Sequence, residues 1–546
     1  MSITARTVQQ AFRCTAARYP DNDLLWILPE TAAKHGIEPR PFSYADAAVE
    51  VARLEGDYAA AGLGHGHRVG LMLDNRPGMF FHWLALNALG VSVVPLNPEW
   101  RSAELEYLIG HSELDVAVVP PARALELGMA ARATGREVVV TGEDLSGLRP
   151  ISTCAPFATR APDEHTECAL LYTSGTTGRP KGCVLTNEYF LWAGSWYAQA
   201  GGLCQLVPGK ERLITPLPMS HMNAMAYSTL AMLLTGGCIV PVDRFHPRTW
   251  WQSVRESRAT IVHYLGVMPA MLLGAELTPG DRDHSVRFGF GAGVSPRLHG
   301  PFEQRFGFPL LEGWAMTETG AGAVIIANRA PRKVGTACFG KPERRVEYRV
   351  VNEQGGDVVP GEPGELLVRS AGSDPRFGFF REYLRDSEAT AAAWAGGYFH
   401  TGDIVHVDAD GDFHFVDRKK NVIRRSGENI SAVEVESVLL QHPGVATVGV
   451  SAVFDEVRGE EVIACIVPRA PRSETDVTTF AQDVVEFCLQ RLAYFKAPGY
   501  VALCDELPLT PTEKIQRVRL KALAKELLAG PNCVDRRALK KRTTTS

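Results

Sequence analysis

Apolar and polar residues follow a helix-and-strand rhythm through the first part of the chain. Ser43, followed by an acidic residue three positions later, begins a helical pattern that ends at Gly62. The short apolar runs 69–73 and 91–95 predict buried strands, and the apolar segment 77–89, opened by a proline, predicts the helix between them. This is the βαβ pattern of a parallel sheet with helices on its faces.

The same rhythm returns further along the chain. After a strand near Leu213, it predicts helices at 224–234 and 248–255 and strands at 238–242 and 261–264. Two doubly wound αβ subdomains therefore fit this part of the chain best.

The pattern becomes β-rich after residue 346. Short apolar runs between 346 and 415 are separated by Gly and Pro clusters, which predicts a smaller β subdomain. Beyond a charged run, the segment 421–530 reads as a small α+β domain whose first helix is capped by Ser431. The basic end of the chain is expected to be disordered. The fold class is therefore α/β, with a large N-terminal domain at 1–417, a hinge at 418–420 and a small mobile C-terminal domain at 421–546.

Composition and charge narrow the class of protein. The 546 residues, 45% hydrophobic and 22% charged, suffice for three or four folding units of about 100 to 200 residues each. A formal net charge of −5 creates no global positive field, so nucleic acid is not a predicted partner. No apolar run reaches the ~18 residues of a membrane span, and the 11 cysteines form no CxxC pattern. We expect a cytoplasmic protein without a zinc site or disulfide framework.

The strongest chemical signal lies at 172–182. An apolar strand leads there into a loop rich in hydroxyls and glycines, which contains Thr173, Ser174, Gly175, Thr176, Thr177, Gly178 and Lys181. Glycines let backbone N–H groups approach phosphate oxygens, hydroxyls donate further hydrogen bonds, and the lysine adds a mobile positive charge. The Walker pattern is absent. The density of these residues favours a phosphate-binding loop over a flexible surface turn.

Further motifs follow this loop in an order that resembles a known family. They are PMSH at 218–221, GAG at 291–293, GWAMTET at 313–319, TGD at 401–403, DRKK at 417–420, SGEN at 426–429 and a late Lys514. Over nearly its whole length the chain is similar to the adenylate-forming superfamily of acyl- and aryl-CoA synthetases, firefly luciferase and peptide-synthetase adenylation domains. The segments 421–425 and 494–498 look most like the crotonobetaine/carnitine-CoA ligase branch.

The resemblance implies how ATP is bound. Trp314, where tyrosine is usual, would stack on adenine, Thr317 would contact phosphate, and Glu318, with Thr176, would bind Mg²⁺. Asp403 would accept both ribose hydroxyls. The other residues that the resemblance places around the nucleotide are Ala292, Gly293, Glu312, Gly313 and Arg418.

The resemblance also implies two half-reactions. Lys514 would bridge the acyl carboxylate and the α-phosphate, because one ammonium in contact with both reactants offsets their repulsion. Glu513 stands beside it, where glycine is usual. Lys420 matches the hinge about which the small domain rotates, and Gly427 would then line the tunnel for coenzyme A beside Ser426, which replaces a glycine.

The acid itself is left open. His221 stands where acyl- and aryl-CoA ligases commonly carry histidine, and 219–225 lacks the aspartate of amino-acid-activating domains, so amino-acid activation is disfavoured. The residues expected around the acid are His221, Asn223, Tyr264, Gly266, Met268, Phe290 and Gly291. Their amide, phenol and thioether groups suit a small to medium acid with some polarity.

We predict an acid–CoA ligase that uses ATP, Mg²⁺ and coenzyme A. The alternatives are delivery of the acyl group to a carrier-protein thiol, oxidation of the adenylate as in luciferase, and a non-catalytic nucleotide-binding regulator. A homodimer is compatible with the resemblance, since dimers are common in similar enzymes.

Overall fold

The computed structural model describes residues 5–151, 161–173, 180–418, 422–470, 474–508 and 515–541. These residues form four β-sheets with helices packed on them. The α-helices are Val8–Arg18, Pro29–His35, Tyr44–Ala60, Pro77–Ala88, Ser102–Ser112, Pro121–Ala133, Asn187–Gln199, Leu230–Thr235, Trp250–Glu256, Val267–Leu273, Pro296–Phe306, Ser387–Ala393, Ala432–Leu439, Glu474–Leu489 and Arg517–Leu528. Within the described residues, every helix is too short or too polar to cross a membrane.

An eight-stranded sheet carries the central part of the chain. Its strands, in spatial order, are Ile325–Ile326, Leu310–Trp314, Phe288–Ala292, Ile261–Leu265, Arg212–Thr215, Cys238–Pro241, Asp23–Trp26 and Pro41–Ser43. The inner six strands run parallel, and the two edge strands are antiparallel. Parallel strands bring their carboxyl ends to one edge, which is where open α/β sheets bind ligands.

A seven-stranded sheet forms the second αβ layer. Its strands are Glu382–Tyr383, Lys181–Thr186, Glu167–Thr173, Ser92–Pro95, Arg68–Leu71, Val116–Val118 and Val139–Thr141. The helix Tyr44–Ala60 begins as predicted, since Ser43 and Asp46 exchange side-chain to backbone hydrogen bonds of 3.0 Å. This sheet and the eight-stranded sheet are the two αβ layers of the predicted fold class, which is confirmed.

One predicted helix differs in kind. The segment 224–234 was expected to be a regular α-helix, but it consists of a π-helix, Asn223–Thr229, followed by the α-helix Leu230–Thr235. Ser228 and Thr229 donate their hydroxyls to the carbonyls of Asn223 and Ala224, five residues back, at 3.3 and 2.8 Å. Hydroxyls that bond backward along a helix widen its turn, and apolar periodicity alone does not reveal this.

Two further sheets account for the β-rich subdomain and the small C-terminal part. The five-stranded sheet consists of Cys338–Gly340, Phe413–Arg418, Phe399–Val407, Gly364–Ser370 and Val346–Val351. The six-stranded sheet consists of Glu428–Ser431, Val422–Arg425, Gly459–Pro468, Tyr500–Leu503 and Cys533–Asp535, with Val445–Asp455 paired to Gly459–Pro468. As predicted, Ser431 caps the first helix of this part by accepting from the Glu434 N–H at 3.3 Å.

The expectation of a disordered basic end is wrong for most of the segment after residue 530. Cys533–Asp535 adds an edge strand to the six-stranded sheet, because it pairs antiparallel with Tyr500–Leu503. The ammonium of Lys540 is fully buried against Glu461, which also accepts from Arg425 at 2.6 Å. A basic composition predicts a segment exposed to solvent. One of these lysines is buried instead, because it pairs with a buried carboxylate. Residues 542–546 lie outside the described residues.

Candidate active site

The carboxyl ends of three parallel strands build a turn that one carboxylate holds. The register places Tyr264 beside Gly291 and Gly291 beside Glu312. The Tyr264 hydroxyl donates to Glu312 at 2.5 Å, and the Gly293 and Val294 N–H groups donate to it at 2.9 and 3.2 Å. Glu312 therefore fixes the backbone of the Gly291–Gly293 turn, a role the motif did not reveal.

Two glycines of this region are required by close packing. A Cβ at Gly291 would lie 2.9 Å from the Tyr264 ring, which crosses that position to reach Glu312. A Cβ at Gly266 would lie 1.8 Å from the Gly293 carbonyl oxygen. Burial raises the pKa of Glu312, although its three hydrogen-bond donors counteract that effect. The Tyr264 phenol is thus committed to the turn, so its predicted place in the acid pocket gains no support.

Phe290 faces the opposite side of this sheet, together with a polar cluster that the motifs missed. His263 is fully buried there, with Nε2 3.0 Å from the Tyr197 hydroxyl and Nδ1 2.8 and 2.9 Å from Ser228 Oγ and Asn223 Oδ1. The His263 and Phe290 rings meet edge to face at 5.0 Å. Burial lowers the pKa of His263 to about 3, so the imidazole is neutral at physiological pH. Strand alternation, which puts His263 on the face of Phe290, could have found it.

Trp314 and Asp403 lie together, as their predicted shared nucleotide site requires. The indole N–H donates to Asp403 Oδ2 at 2.8 Å, and Asp403 is Arg418's partner in the backbone register. The indole packs at 6.2 Å against Phe339 and is only 6% exposed. Trp314 therefore orients Asp403, and its stacking on adenine stays a prediction.

The phosphate loop meets the acidic motif. The strands Glu167–Thr173 and Lys181–Thr186, which flank the predicted phosphate loop in the sequence, are antiparallel neighbours. Glu318 Oε1 accepts from the Tyr383 hydroxyl at 2.9 Å and from Thr173 Oγ1 at 3.4 Å. Thr317 lies beside Glu318, with its carbonyl accepting from the Tyr189 hydroxyl at 2.9 Å.

Tyr383 is the second residue that the motifs missed. The Lys181 ammonium lies 4.8 Å from the centre of the Tyr383 ring and 3.8 Å from Asp386. One phenol thereby touches both the acidic motif and the lysine of the phosphate loop. It comes from the short edge strand Glu382–Tyr383, so only the pairing of that strand with Lys181–Thr186 reveals it.

Several predicted site residues fall on parts of the chain for which nothing is described. Ser174, Gly175, Thr176, Thr177, Gly178, Lys420 and Lys514 lie outside the described residues, as does the side chain of Arg418. Glu513, the departure from glycine beside Lys514, lies there too. Their roles stay predictions.

The small C-terminal part meets the carboxyl end of strand Ile261–Leu265. Gly427 has a φ of +89°, a backbone conformation that favours glycine, and a Cβ there would lie 2.2 Å from Leu265 Cδ1. Glu428 follows with its carboxylate 3.9 Å from His221 Nε2. Ser426 adopts φ +51°, and its hydroxyl accepts from the Arg458 guanidinium at 3.3 Å. The replacement of glycine by Ser426 therefore adds a hydrogen bond in a strained backbone position.

A cavity of about 500 Å³ lies between the two parts. It extends from the end of the eight-stranded sheet to the surface of the small part, and its lining includes Met219, Met268, Ser426, Glu428, Arg458 and Lys540. Of the predicted acid-pocket residues, Met268 borders this cavity. Its position next to Gly427 suits a narrow molecule entering from the small part.

A cluster of three acids elsewhere in the large part is paired with a lysine. Asp408, Asp410 and Asp412 bring carboxylate oxygens within 4.8 Å of one another. The Lys333 ammonium contacts all three, at 2.5, 2.7 and 3.1 Å. The lysine already supplies the positive charge that a cation would bring.

Comparisons with known proteins show the family of this chain. The model of the AMP-binding enzyme family matches residues 12–384, and that of the AMP-binding enzyme C-terminal domain matches residues 434–514. The chain therefore belongs to the AMP-binding enzyme family, within its acyl-CoA ligases. A crotonobetaine/carnitine–CoA ligase of Citrobacter koseri is 31% identical over 501 residues, which cover 88% of this chain and 93% of that protein.

One solved enzyme is similar in two ligand states. A double mutant of o-succinylbenzoate CoA synthetase from Bacillus subtilis, bound with a CoA product analogue, has a TM-score of 0.78 at 25% identity over 94% of this chain and 98% of its own. The same synthetase in complex with AMP has a TM-score of 0.64 at 24% identity, with coverages of 94% and 98%. Of these two structures, the one that holds the CoA analogue has the higher TM-score to this chain.

Proposed function

We propose that this chain joins a small to medium carboxylic acid to coenzyme A in two steps. The acid first attacks ATP to give an acyl-adenylate and pyrophosphate, and the CoA thiol then displaces AMP. The observation that carries the proposal is the meeting of separate motifs at one edge of the sheets. Thr173 reaches Glu318 there, and Asp403 is oriented by Trp314.

Glu318 fits the predicted magnesium site. It accepts from two neutral hydroxyls, and no lysine or arginine of the described segments forms an ion pair with it. A carboxylate whose charge is not cancelled suits a hard divalent cation, which would neutralise charge on the triphosphate. Tyr383 and Thr173 orient Glu318 for that contact, and Thr176 is the proposed second ligand.

We propose that the small part, 421–546, moves about 418–420 relative to 1–417. Lys514 would serve adenylation in one orientation, and Gly427 would border the coenzyme A passage in the other. The Gly427–Leu265 contact, the adjoining cavity and the higher TM-score to the CoA-analogue complex support assigning the present arrangement to thioester formation.

The acid is proposed to carry a polar or charged substituent. Asn223 and His263 place an amide and a neutral imidazole next to Phe290, and the Citrobacter koseri relative is named for crotonobetaine and carnitine. Both observations favour a polar acid over a long apolar one. His221 is proposed to border the acid at the side of the small part.

A product assay tests the proposal. The enzyme is incubated with ATP, Mg²⁺, CoA and a panel of acids including carnitine, crotonobetaine, dicarboxylic, aromatic and fatty acids. We expect AMP, pyrophosphate and acyl-CoA with a polar short acid, and pyrophosphate alone in a single turnover when CoA is omitted. If AMP is released only when a carrier protein replaces CoA, the second step is wrong.

A further inference from the structure

A buried lysine joins the two parts of the molecule. Lys496, in the small part, is 7% exposed at its side chain and donates to Glu104 of the large part at 2.5 Å and to Glu434 of the small part at 2.8 Å. Among the described residues, the only other ion pair between the two parts is the looser His221–Glu428 contact of 3.9 Å. Within the described segments, Lys496 therefore provides the shorter and more deeply buried of the two charged connections.

The two carboxylates occupy equivalent places on two helices. Glu104 is the third residue of Ser102–Ser112, and Glu434 is the third residue of Ala432–Leu439. Carboxylates in the first turn of a helix are stabilised by the helix dipole. Both carboxylates therefore have a favourable helical environment that does not depend on Lys496. Lys496 lies between the first turns of two helices that belong to different parts of the protein.

Glu104 makes a second contact across the same interface. Its Oε2 accepts from the Ala493 N–H at 3.0 Å and from the Arg101 N–H of its own helix at 2.9 Å. Trp100, just before that helix, packs against the apolar core of the small part as well as that of the large part. The Trp100 carbonyl is fixed by the Arg123 guanidinium at 2.7 Å. Charge, backbone and apolar contacts thus converge on one patch.

The two carboxylates keep the buried Lys496 ammonium charged. Burial alone would lower the pKa of Lys496, but Glu104 and Glu434 outweigh it and raise that pKa, so the ammonium stays charged. If the small part turned away, Lys496 would keep Glu434, which travels with it, and Glu104 would enter solvent. No charge would be left buried without a partner, which is the costly case.

We propose that Glu104 is a positioning residue for thioester formation: through Lys496 and the Ala493 N–H it holds the small part in the arrangement seen here. The proposal rests on the proposed acid–CoA ligase function and adds a residue that acts through Lys496 and the backbone of the small part. Glu104 acts on the second half-reaction only, because adenylation uses the other orientation.

The test separates the half-reactions in Glu104→Ala and Glu104→Gln, with Glu106→Gln on the same helix as matched control. Adenylation is followed as single-turnover pyrophosphate release without CoA, and thioester formation by mixing preformed adenylate with CoA. We expect Glu104→Ala to slow the second step at least about tenfold and to leave the first within about twofold. Glu104→Gln should fall between, and Glu106→Gln should change neither.

A structural readout accompanies the rates. Hydrogen exchange at the Ala493 amide should be faster in Glu104→Ala, while exchange in the strands of the large part stays unchanged. Equal slowing of both half-reactions, or of neither, in both Glu104 variants would overturn the proposal. A wild-type enzyme that forms adenylate but transfers it to no CoA would instead overturn the proposed function.

Discussion

Carboxylates are held differently in the large part and at its border with the small part. In the large part, Glu312, Glu318 and Asp403 are each fixed by an aromatic donor, namely Tyr264, Tyr383 and Trp314. At the border, Glu104 and Glu428 face Lys496 and His221. The printed partners of the first set are neutral aromatic donors, whereas those of the second set are cationic or protonatable.

The kind of donor determines whether a carboxylate keeps its negative charge for a ligand or uses it to hold two parts of the protein together. A neutral phenol or indole fixes the direction of a carboxylate without cancelling its charge, so the acid can still attract a cation or accept from a hydroxyl. An ammonium cancels the charge and makes the carboxylate a structural contact. The comparison of Glu318 with Glu104 thus separates an acid whose charge stays available to a ligand from an acid that joins the two parts of the protein.

The largest expected effect comes from removing the charge of Glu318, which forms no ion pair with a described lysine or arginine. Glu318→Gln retains an oxygen that accepts from Tyr383 but loses the negative charge. We expect adenylate formation to fall by about 100-fold, which corresponds to about 2.7 kcal/mol of transition-state stabilisation. ATP–pyrophosphate exchange measures it, with exposed Glu382→Gln as control. Exchange within threefold of wild type would contradict the magnesium role.

His263 differs from these carboxylates because burial keeps its imidazole neutral, and its hydrogen-bond partners are neutral too. Its folded pKa of about 3 lies below the ordinary 6.5, so the unfolded chain alone takes up this proton as pH falls below about 6.5. Its contribution to stability is present above that pH and should diminish by about 2 kcal/mol at pH 5. Denaturant unfolding at pH 7 and pH 5 measures the loss.

The matched variant for that measurement is His263→Gln. His35 and His82 also have pKa values lowered, to about 4, and they contribute to the acid sensitivity of both proteins. The variant should therefore lose about 2 kcal/mol less than wild type between the two pH values. An equal loss in both proteins would assign the effect to other groups.

Tyr383→Phe removes a donor and keeps the charge of Glu318. The carboxylate loses its 2.9 Å hydrogen bond and its fixed direction. We expect adenylation to slow about tenfold, or about 1.4 kcal/mol, and the Mg²⁺ concentration for half-maximal rate to rise. The control is Tyr348→Phe, because Tyr348 is 42% exposed. An unchanged Mg²⁺ dependence would show that the phenol does not orient the site.

The smallest effect is expected at the loose border contact. His221 and Glu428 are 3.9 Å apart and partly exposed, and such pairs contribute about 0 to 1 kcal/mol. Glu428→Gln should therefore slow thioester formation less than about threefold, well below the effect of Glu104→Ala. A larger loss for Glu428→Gln would contradict this ranking of the two described charged connections.

The sequence predicted what depends on local order. Ser43 and Ser431 mark helix starts through hydrogen bonds to residues three positions later. Glu318 could be singled out because it stands in a short motif of neighbouring residues. The sequence could not predict contacts between residues that are far apart along the chain. Tyr383 is 65 residues from Glu318 along the chain, and Lys496 is 392 residues from Glu104.

The π-helix and the buried end of the chain were missed for related reasons. Apolar spacing at Asn223–Thr229 suits an α-helix, and only side-chain hydroxyls bonding five residues back change its type. Charge near the end suggested solvent exposure, whereas Glu461 offers a buried partner to Lys540. In both cases one polar contact outweighed a pattern read over many residues.

The burial of Lys540 also bears on how the protein is made. It follows the edge strand Cys533–Asp535, and both come after all the segments of the large part in the sequence. During synthesis the six-stranded sheet can therefore be completed only after the segments of the large part have been made and can begin to fold.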